Sequence, residues 1–293
     1  MVTDRIIMVS NGDTSVELTA HPYCVQNTKG FDRLNVQIVS SQGFDQVGAS
    51  MLNSYVLPRD MEINGQIHAE TTGQMQQLHD RLFHIFIPDK DVTITHYFGG
   101  KNRQIRARAQ KTPKFDFTAV SMVQNYNITL KAMEPYWRDE EETLIQMANI
   151  RGGLHFPLVI PKNKGVTFGI KSSALIADVY NKASVKTGMR FVFKAKGSVS
   201  NPQLFNVETR EYFKLICDMT AGEKITVRTG QEKEVTRNIN GVEENYMGKI
   251  DLAGGGHTFL ELMPGDNLFR YGADSGEAML EISISFYNQY TGV

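Results

Sequence analysis

Tyr126-Asn127-Ile128-Thr129-Leu130-Lys131-Ala132-Met133-Glu134-Pro135-Tyr136-Trp137 is the stretch that decides how this chain is organised. Tyr126, Ile128, Leu130 and Ala132 alternate with Asn127, Thr129, Lys131 and Met133, the period of a half-buried strand. Pro135 ends the ladder, because it has no amide hydrogen to donate and biases Glu134 towards extended backbone. Trp137, the only tryptophan, comes next, and then the acidic run Arg138-Asp139-Glu140-Glu141-Glu142. Residues before this seam read as strands with one helix, and those beyond it read as strands alone. The expected division is an N-terminal domain over 1–137, a linker over 138–154 and a C-terminal domain over 155–293.

Upstream, the apolar run at residues 5–9 stops at Ser10-Asn11-Gly12-Asp13, and Val16 to Ala20 alternates. Asn-Gly is a strong short-hairpin signal because both central residues must reach positive φ, so these two runs are expected to pair. Leu34 to Val39 alternates strictly. From Ser40 to Ser54 the chain is small, polar and glycine-bearing without periodicity, which predicts a long loop that either belongs to a contact surface or is mobile until bound. Met61 to Ile67 predicts a strand. Thr71 and Thr72 can cap a helix running to Phe86, with Met75, Leu78, Leu82 and Ile85 on one face and Pro88 beyond its end. Val92 to Phe98, Gln104 to Ala109 and Phe115 to Met122 predict strands leading to the seam. This half is α+β, antiparallel strands crossed by one helix.

Downstream, Glu141 to Asn149 alone has helical character, as a short connector. From Val166 onward short strands alternate with turns. Phe191, Phe193 and Ala195 face opposite to Val192, Lys194 and Lys196. Leu204 to Val207 and Tyr212 to Asp218 flank a hairpin turn, Ala221-Gly222-Glu223 turns into Ile225-Thr226-Val227, and Asn240-Gly241 marks another hairpin. Leu280, Ile282, Ile284 and Phe286 alternate with Glu281, Ser283, Ser285 and Tyr287. Strands recurring at roughly 8–12-residue intervals predict a sandwich or jelly roll. The fold class expected is mainly β.

Bulk composition narrows the function. A chain of 293 residues exceeds what one core usually serves, in keeping with two domains. A net charge of -1 argues against an electrostatic grip on nucleic acid. Cys24 and Cys217 lie far apart without partners at metal-ligand spacing. The N-terminal residues lack a secretory pattern and no run reaches membrane-spanning length, so the expected setting at synthesis is a reducing cytoplasm.

Chemistry-bearing constellations are missing from the sequence. His79 and His84 share a helix at a spacing of five, whereas a helical metal pair wants four. His79-Asp80 therefore reads as a solvated helix surface. His21, His68, His96, His155 and His257 are scattered. Gly254-Gly255-Gly256 lacks the Lys-Ser/Thr and the helix of a phosphate loop and reads as a hairpin tip. Glu243-Glu244 are neighbours, not carboxylates held across a cleft. No catalytic, cofactor or metal residues are assigned, and no cofactor. Arg103, Arg106, Arg108, Lys111 and Lys114 form a cationic strip without interleaved aromatics, read as a solvated or subunit-contact face.

Arg59-Asp60-Met61-Glu62-Ile63-Asn64-Gly65 precedes the helix that ends near Phe86-Ile87-Pro88, and Leu130 to Trp137 ends in a Pro-Tyr border. Asn201-Pro202-Gln203-Leu204-Phe205-Asn206-Val207-Glu208-Thr209, Ala221-Gly222-Glu223-Lys224-Ile225-Thr226-Val227 and Leu262-Met263-Pro264-Gly265-Asp266-Asn267 follow. In their conjunction and order these motifs resemble the distal tail protein family of long-tailed siphophages. The resemblance implies a non-enzymatic virion protein at the tail tip, assembled in the host cytoplasm. Its N-terminal domain would close a homo-hexameric ring, single or stacked in pairs, between the tail tube protein and the tail-tip protein. DNA would cross the lumen without specific binding. The C-terminal domain would be a galectin-like β-sandwich, a holder for receptor-binding proteins, with no membrane contact.

A reading from another class is a carbohydrate-binding module that attaches to a cell-surface glycan through the C-terminal sandwich. Tyr212, Tyr246 and Tyr271 are its candidate aromatic residues.

Overall fold

The alternation at Tyr126–Ala132 forms a strand over Val123–Ala132 that buries Tyr126, Ile128, Leu130 and Ala132. This computed structural model describes residues 5–116, 122–147, 149–152, 169–172 and 176–293. They divide into two compact units, Met1–Glu140 with Gln289–Val293, and Glu141–Asn288. The expected strand over Phe115 to Met122 falls partly outside the described residues.

The first unit contains β1 (Arg5–Ser10), β2 (Ser15–Glu17), β3 (Tyr23–Lys29), β4 (Val36–Ser41), β5 (Ser50–Val56), β6 (Arg59–His68), α1 (Thr72–Ile85), β7 (Asp91–Phe98), β8 (Lys101–Ala109), β9 (Lys114–Phe115), β10 (Val123–Ala132) and β11 (Trp137–Asp139). The expected Asn11-Gly12 hairpin is present, with Val9 opposite Val16. Asn11 Oδ1 accepts from the amides of Asp13 and Thr14 at 3.2 and 3.0 Å, which fixes the turn. Among the described residues the main sheet runs β2-β1-β7-β8-β10-β6-β3, all neighbours antiparallel. Gly65 in β6 sits opposite Tyr126 in β10. A Cβ there would lie 2.5 Å from the tyrosine oxygen, so the missing side chain makes room for the aromatic ring.

Helix α1 starts where the sequence places it. Thr71 Oγ1 accepts from the Gln74 amide at 3.2 Å, and Gln74 Oε1 accepts from the Glu70 amide at 2.7 Å, so two amides near the helix start are satisfied. Met75, Leu82 and Ile85 pack into one core with Ile63, Ile67, Ile128 and Leu130, so the helix covers one face of the sheet. His79 also points inward at 5% exposure, stacked on Phe115 with ring centroids 3.9 Å apart. The solvated surface expected for His79-Asp80 is thus right only for Asp80, which accepts from Gln76 Nε2. Position 79 comes one helical turn after Met75 and one before Leu82, so the apolar stripe takes it in.

The second unit contains β12 (Thr143–Gln146), β13 (Asn149–Gly152), β14 (Gly169–Ser172), β15 (Ile176–Asp178), β16 (Thr187–Gly188), β17 (Arg190–Ala195), β18 (Val199–Asn206), β19 (Tyr212–Lys214), β20 (Asp218–Met219), β21 (Lys224–Arg228), β22 (Glu234–Ile239), β23 (Val242–Asn245), β24 (Glu261–Leu262), β25 (Leu268–Ser275) and β26 (Leu280–Phe286). One antiparallel sheet runs β12-β26-β17-β21-β22-β23. A second runs β15-β25-β18-β19, with β20 also on β18. They share one core in which Phe191 of the first sheet meets Phe213 of the second edge to face, centroids 5.4 Å apart. The helical connector expected over Glu141 to Asn149 is instead β12 for part of its length. Pairing with β26 satisfies its backbone groups, while Ile145 packs on the core and Leu144 faces out.

The asparagine-bearing turn motifs prove to be buried side chains that organise loops. Asn206 Oδ1 accepts from the amides of Glu208 and Thr209 at 2.9 and 3.1 Å. Asn267, fully buried, accepts from the Met263 amide and donates to the carbonyls of Met263, Gly265 and Val179. Asn240 and Gly241 both take positive φ, +50° and +88°, in the hairpin between β22 and β23.

The last five residues leave the second unit. β27 (Gln289–Tyr290) pairs with β11, Trp137 opposite Tyr290. The sequence grouped 289–293 with the C-terminal body; no local pattern distinguishes a two-residue strand that pairs with partners about 150 positions away.

Candidate assembly surface

Residues 40–54, read from sequence as a loop, instead form most of an antiparallel hairpin of β4 and β5. Val36 is opposite Val56, Gln37 opposite Tyr55, and Ile38 opposite Ser54, with a bulge after Val39. Among the described residues these strands pair with each other and with no third strand. Directly paired residues share a face, so Val36, Ile38 and Val56 lie on one side and Val39 and Tyr55 on the other. Ile38, Met51 and Leu52 are 63%, 69% and 66% exposed, and Phe44 and Val47 at the tip are fully exposed. A lone two-stranded hairpin is at best marginally stable in water. Covering large apolar side chains contributes about 1.5–3 kcal/mol each. Sequence periodicity misses this surface because neither face is turned to its own core; the signal available was Phe44, Val47, Met51 and Leu52 standing in a stretch otherwise small and polar.

A second surface contrasts with it. The face of the main sheet opposite α1 carries polar side chains across β8, β10 and β6. Asn127 Nδ2 bonds to Asn64 Oδ1 and Glu62 Oε1 at 2.7 and 2.6 Å, and Gln66 Nε2 donates to Asn125 Oδ1 at 3.0 Å. Much of the cationic strip ends here. Arg106 and Arg108 both reach Asp91, at 2.9 and 2.7 Å, while Lys131 lies 3.6 Å from Asp60. Lys114 pairs with Asp116 at 3.3 Å and Lys111 is exposed. Arg103 departs from the strip: its guanidinium stacks on Tyr290 at 3.9 Å and donates to the Gly292 carbonyl.

The residues considered for chemistry scatter. His96 is buried and accepts from Arg5 Nε at 2.8 Å; burial, then the Arg5 charge, push its pKa down to about 4. Burial also holds His79 below the ordinary imidazole value. His21 and His68 have ring centroids 6.2 Å apart. His257 bridges to Phe213, and His155 lies outside the described residues. No three His, Cys, Asp or Glu side chains gather at ligand spacing among the described residues. Cys24 and Cys217 are free thiols, and burial raises that of Cys217 to about 11.

The other constellations resolve as local structure. Glu244 reaches Arg237 at 3.6 Å while Glu243 accepts from Asn238, successive residues of one strand. Gly254 closes a loop onto Asp251 Oδ1, and its carbonyl accepts from the Tyr212 hydroxyl. Of the aromatic residues considered for sugar binding, Tyr271 lies in the core, which removes it from that role. Tyr246 lies under the Arg237 guanidinium at 5.0 Å. Among the described residues no helix is long and apolar enough to cross a membrane.

Comparison with known proteins gives the fold its context. Residues 182–290 match the family model described as siphovirus-type tail component, C-terminal domain. No curated protein matches the chain in sequence. Among solved structures, the SPP1 Dit protein, described as a paradigm of the hub adsorption apparatus in phages infecting Gram-positive bacteria, is similar with a TM-score of 0.69. The alignment covers 97% of this chain and 98% of that one at 12% identity. A chain of the phage p2 baseplate, in its activated conformation with Sr, is similar with a TM-score of 0.59 at 11% identity, over 99% of both chains. The same baseplate with Ca gives 0.58 at 11% identity over the full length of both. At such identities the likeness is one of fold. Residues 182–290 are thus similar to the siphovirus-type tail components, in keeping with the resemblance to distal tail proteins carried by the Pro135-Tyr136 border and the Asn201 and Asn267 turns.

Proposed function

We propose that this protein is a structural, non-enzymatic subunit of a phage tail tip, the distal tail or baseplate hub. Six copies would close a ring through the N-terminal domain, residues 1–137, with a lumen through which DNA passes. The observation that carries the ring is the β4–β5 hairpin, which exposes apolar side chains on both faces and pairs with no third strand among the described residues. A head-to-tail contact repeated around a closed axis covers every hairpin with the next copy and leaves none open. The family match and the fold likeness to baseplate proteins support the place in the virion. The ring would lie between the tail tube protein and the tail-tip protein after assembly in the host cytoplasm. The second unit, residues 141–288, would be the sandwich, galectin-like and serving as a holder for receptor-binding proteins.

Light scattering on the purified 32.9-kDa chain tests this. The expected mass is that of six copies, or of twelve where two rings stack. Deletion of residues 1–137 should abolish assembly. A stable wild-type monomer would refute the proposal, and one that bound glycans would support the module reading instead.

A further inference from the structure

We infer that residues 289–293 are a latch on the β4–β5 hairpin. Seated, they fix the turn that leads into β4 and so the direction of the hairpin; lifted, they leave the hairpin free to swing. The latch itself stands on contacts within the first unit. Its consequence, that assembly requires the latch to be closed, rests on the proposed ring.

The hairpin has few anchors. Among the described residues β4 and β5 pair with no third strand, and none of their side chains joins the buried core. Its direction is therefore set at its root, where the Leu57 amide donates to the Asn35 carbonyl at 2.8 Å. The two limbs of that root are held unequally. The returning limb runs into β6, in which Arg59 is paired with Ala132. The outgoing limb comes from the turn at residues 30–33, between β3 and β4. Side-chain donors hold this turn: Arg59 Nη1 on the carbonyls of Gly30, Phe31 and Arg33, and Trp137 Nε1 on that of Phe31.

Residues 289–293 close over the same turn. A Cβ at Gly292 would lie 2.9 Å from the Asp32 carbonyl oxygen, so main chain rests on main chain there and a larger residue forces a shift. The Arg59 guanidinium that grips the turn also donates to the Thr291 carbonyl at 2.6 Å. One side chain thus ties the latch to both limbs of the root. Arg103 donates to the Gly292 carbonyl and stacks on Tyr290 at 3.9 Å. Against these holds, β27 is two residues long and pairs with β11 alone among the described residues. A short segment with one edge pairing opens at less cost than the sheet beneath it, as segments that switch must.

Hydrogen exchange and mass test this on the full-length chain. Exchange is read in a background of Ile38→Asp and Leu52→Asp, expected to keep subunits separate, so that no neighbour protects the hairpin. There Gly292→Val and deletion of residues 289–293 should each speed exchange at Leu57 and along β4–β5 about tenfold or more, with the β6–β10 amides unchanged. Thr291→Val alters an exposed side chain and keeps the carbonyl that Arg59 uses, so it should change nothing. In the otherwise wild-type chain, Gly292→Val and the deletion should lower the mass seen by light scattering from that of the ring to that of the subunit.

Hairpin exchange as slow in both latch variants as in the background would overturn the inference. So would an equal rise in the β6–β10 amides, which would make residues 289–293 a general support of the fold. Variants with a loosened hairpin that assemble as wild type does would overturn it while leaving the ring standing. A wild-type chain that forms no ring would refute the proposed function and the consequence for assembly; the exchange comparison would still decide the latch.

Discussion

Arg59, at the start of β6, donates through Nη2 to the carbonyl of Thr291 at 2.6 Å, 232 positions along the chain. The same guanidinium donates to the carbonyls of Pro135, Gly30, Phe31 and Arg33, between 2.7 and 3.2 Å. Its exposure is 1%, and burial lowers its pKa, partly opposed by Asp32. A buried cation held by backbone carbonyls is tolerable because each of its three nitrogens finds an acceptor. Three segments distant in sequence are fixed to one side chain: the turn after β3, the Pro135 border and the C-terminal residues.

Replacing Arg59 with alanine should therefore cost about 3 kcal/mol or more, since hydrogen bonds to a charged group are worth roughly 1.5–3 kcal/mol and the abandoned carbonyls stay buried. Trp137, itself buried and bonded through Nε1 to the Phe31 carbonyl at 3.0 Å, reports on this unit in urea unfolding by fluorescence. Deleting residues 289–293 should shift the same transition by less. An Arg59→Ala midpoint equal to wild type would contradict the role given to Arg59.

In the hairpin, Ile38→Asp and Leu52→Asp should dissociate the assembly while changing the stability of the separated subunit by no more than about 0.5 kcal/mol, the usual range for surface positions. Sedimentation and Trp137 fluorescence together separate the two effects. Dissociation accompanied by unfolding would mean that the hairpin supports its own subunit instead of a neighbour.

His96 predicts a pH dependence. Its pKa in the fold, about 4, lies below the ordinary 6.5, so between those values the unfolded chain binds more protons than the folded one. The stability present above pH 6.5 is lost progressively as pH falls towards 4, by at most about 3 kcal/mol. His96→Gln, which cannot titrate, should flatten the dependence of the Trp137-detected midpoint between pH 7 and pH 5. An unchanged slope would assign the effect to other groups.

In the second unit, buried Glu223 receives Arg237 Nη2 at 2.7 Å and the Thr220 hydroxyl at 2.7 Å. Burial alone would raise its pKa, yet the bonds from Arg237 and Thr220 outweigh that and hold it below the ordinary carboxylate value. Arg237→Met leaves the carboxylate buried without its main partner and should cost about 3–5 kcal/mol. Adding Glu223→Gln should restore part of that loss. Calorimetry of the three variants checks this; additive losses would rule out the coupling.

Local chemistry is enough to determine much of this molecule. Thr71 and the Met75-Leu82-Ile85 stripe define the helix, the alternation through Tyr126–Ala132 defines the central strand, and Asn11-Gly12, Asn240-Gly241 and the Asn267 turn define where the chain reverses. Each is an interaction among residues a few positions apart, and together their order carries the family resemblance. Tertiary structure alone decides that His79 joins the core, that Arg59 is buried beneath carbonyls from both ends of the chain, that residues 289–293 return to the first sheet, and that Ser40–Ser54 belongs to a hairpin with two apolar faces. These depend on which distant backbone groups and surfaces come together, and such pairing leaves no period in the sequence, because the free energy that selects it arises only when both partners are in place.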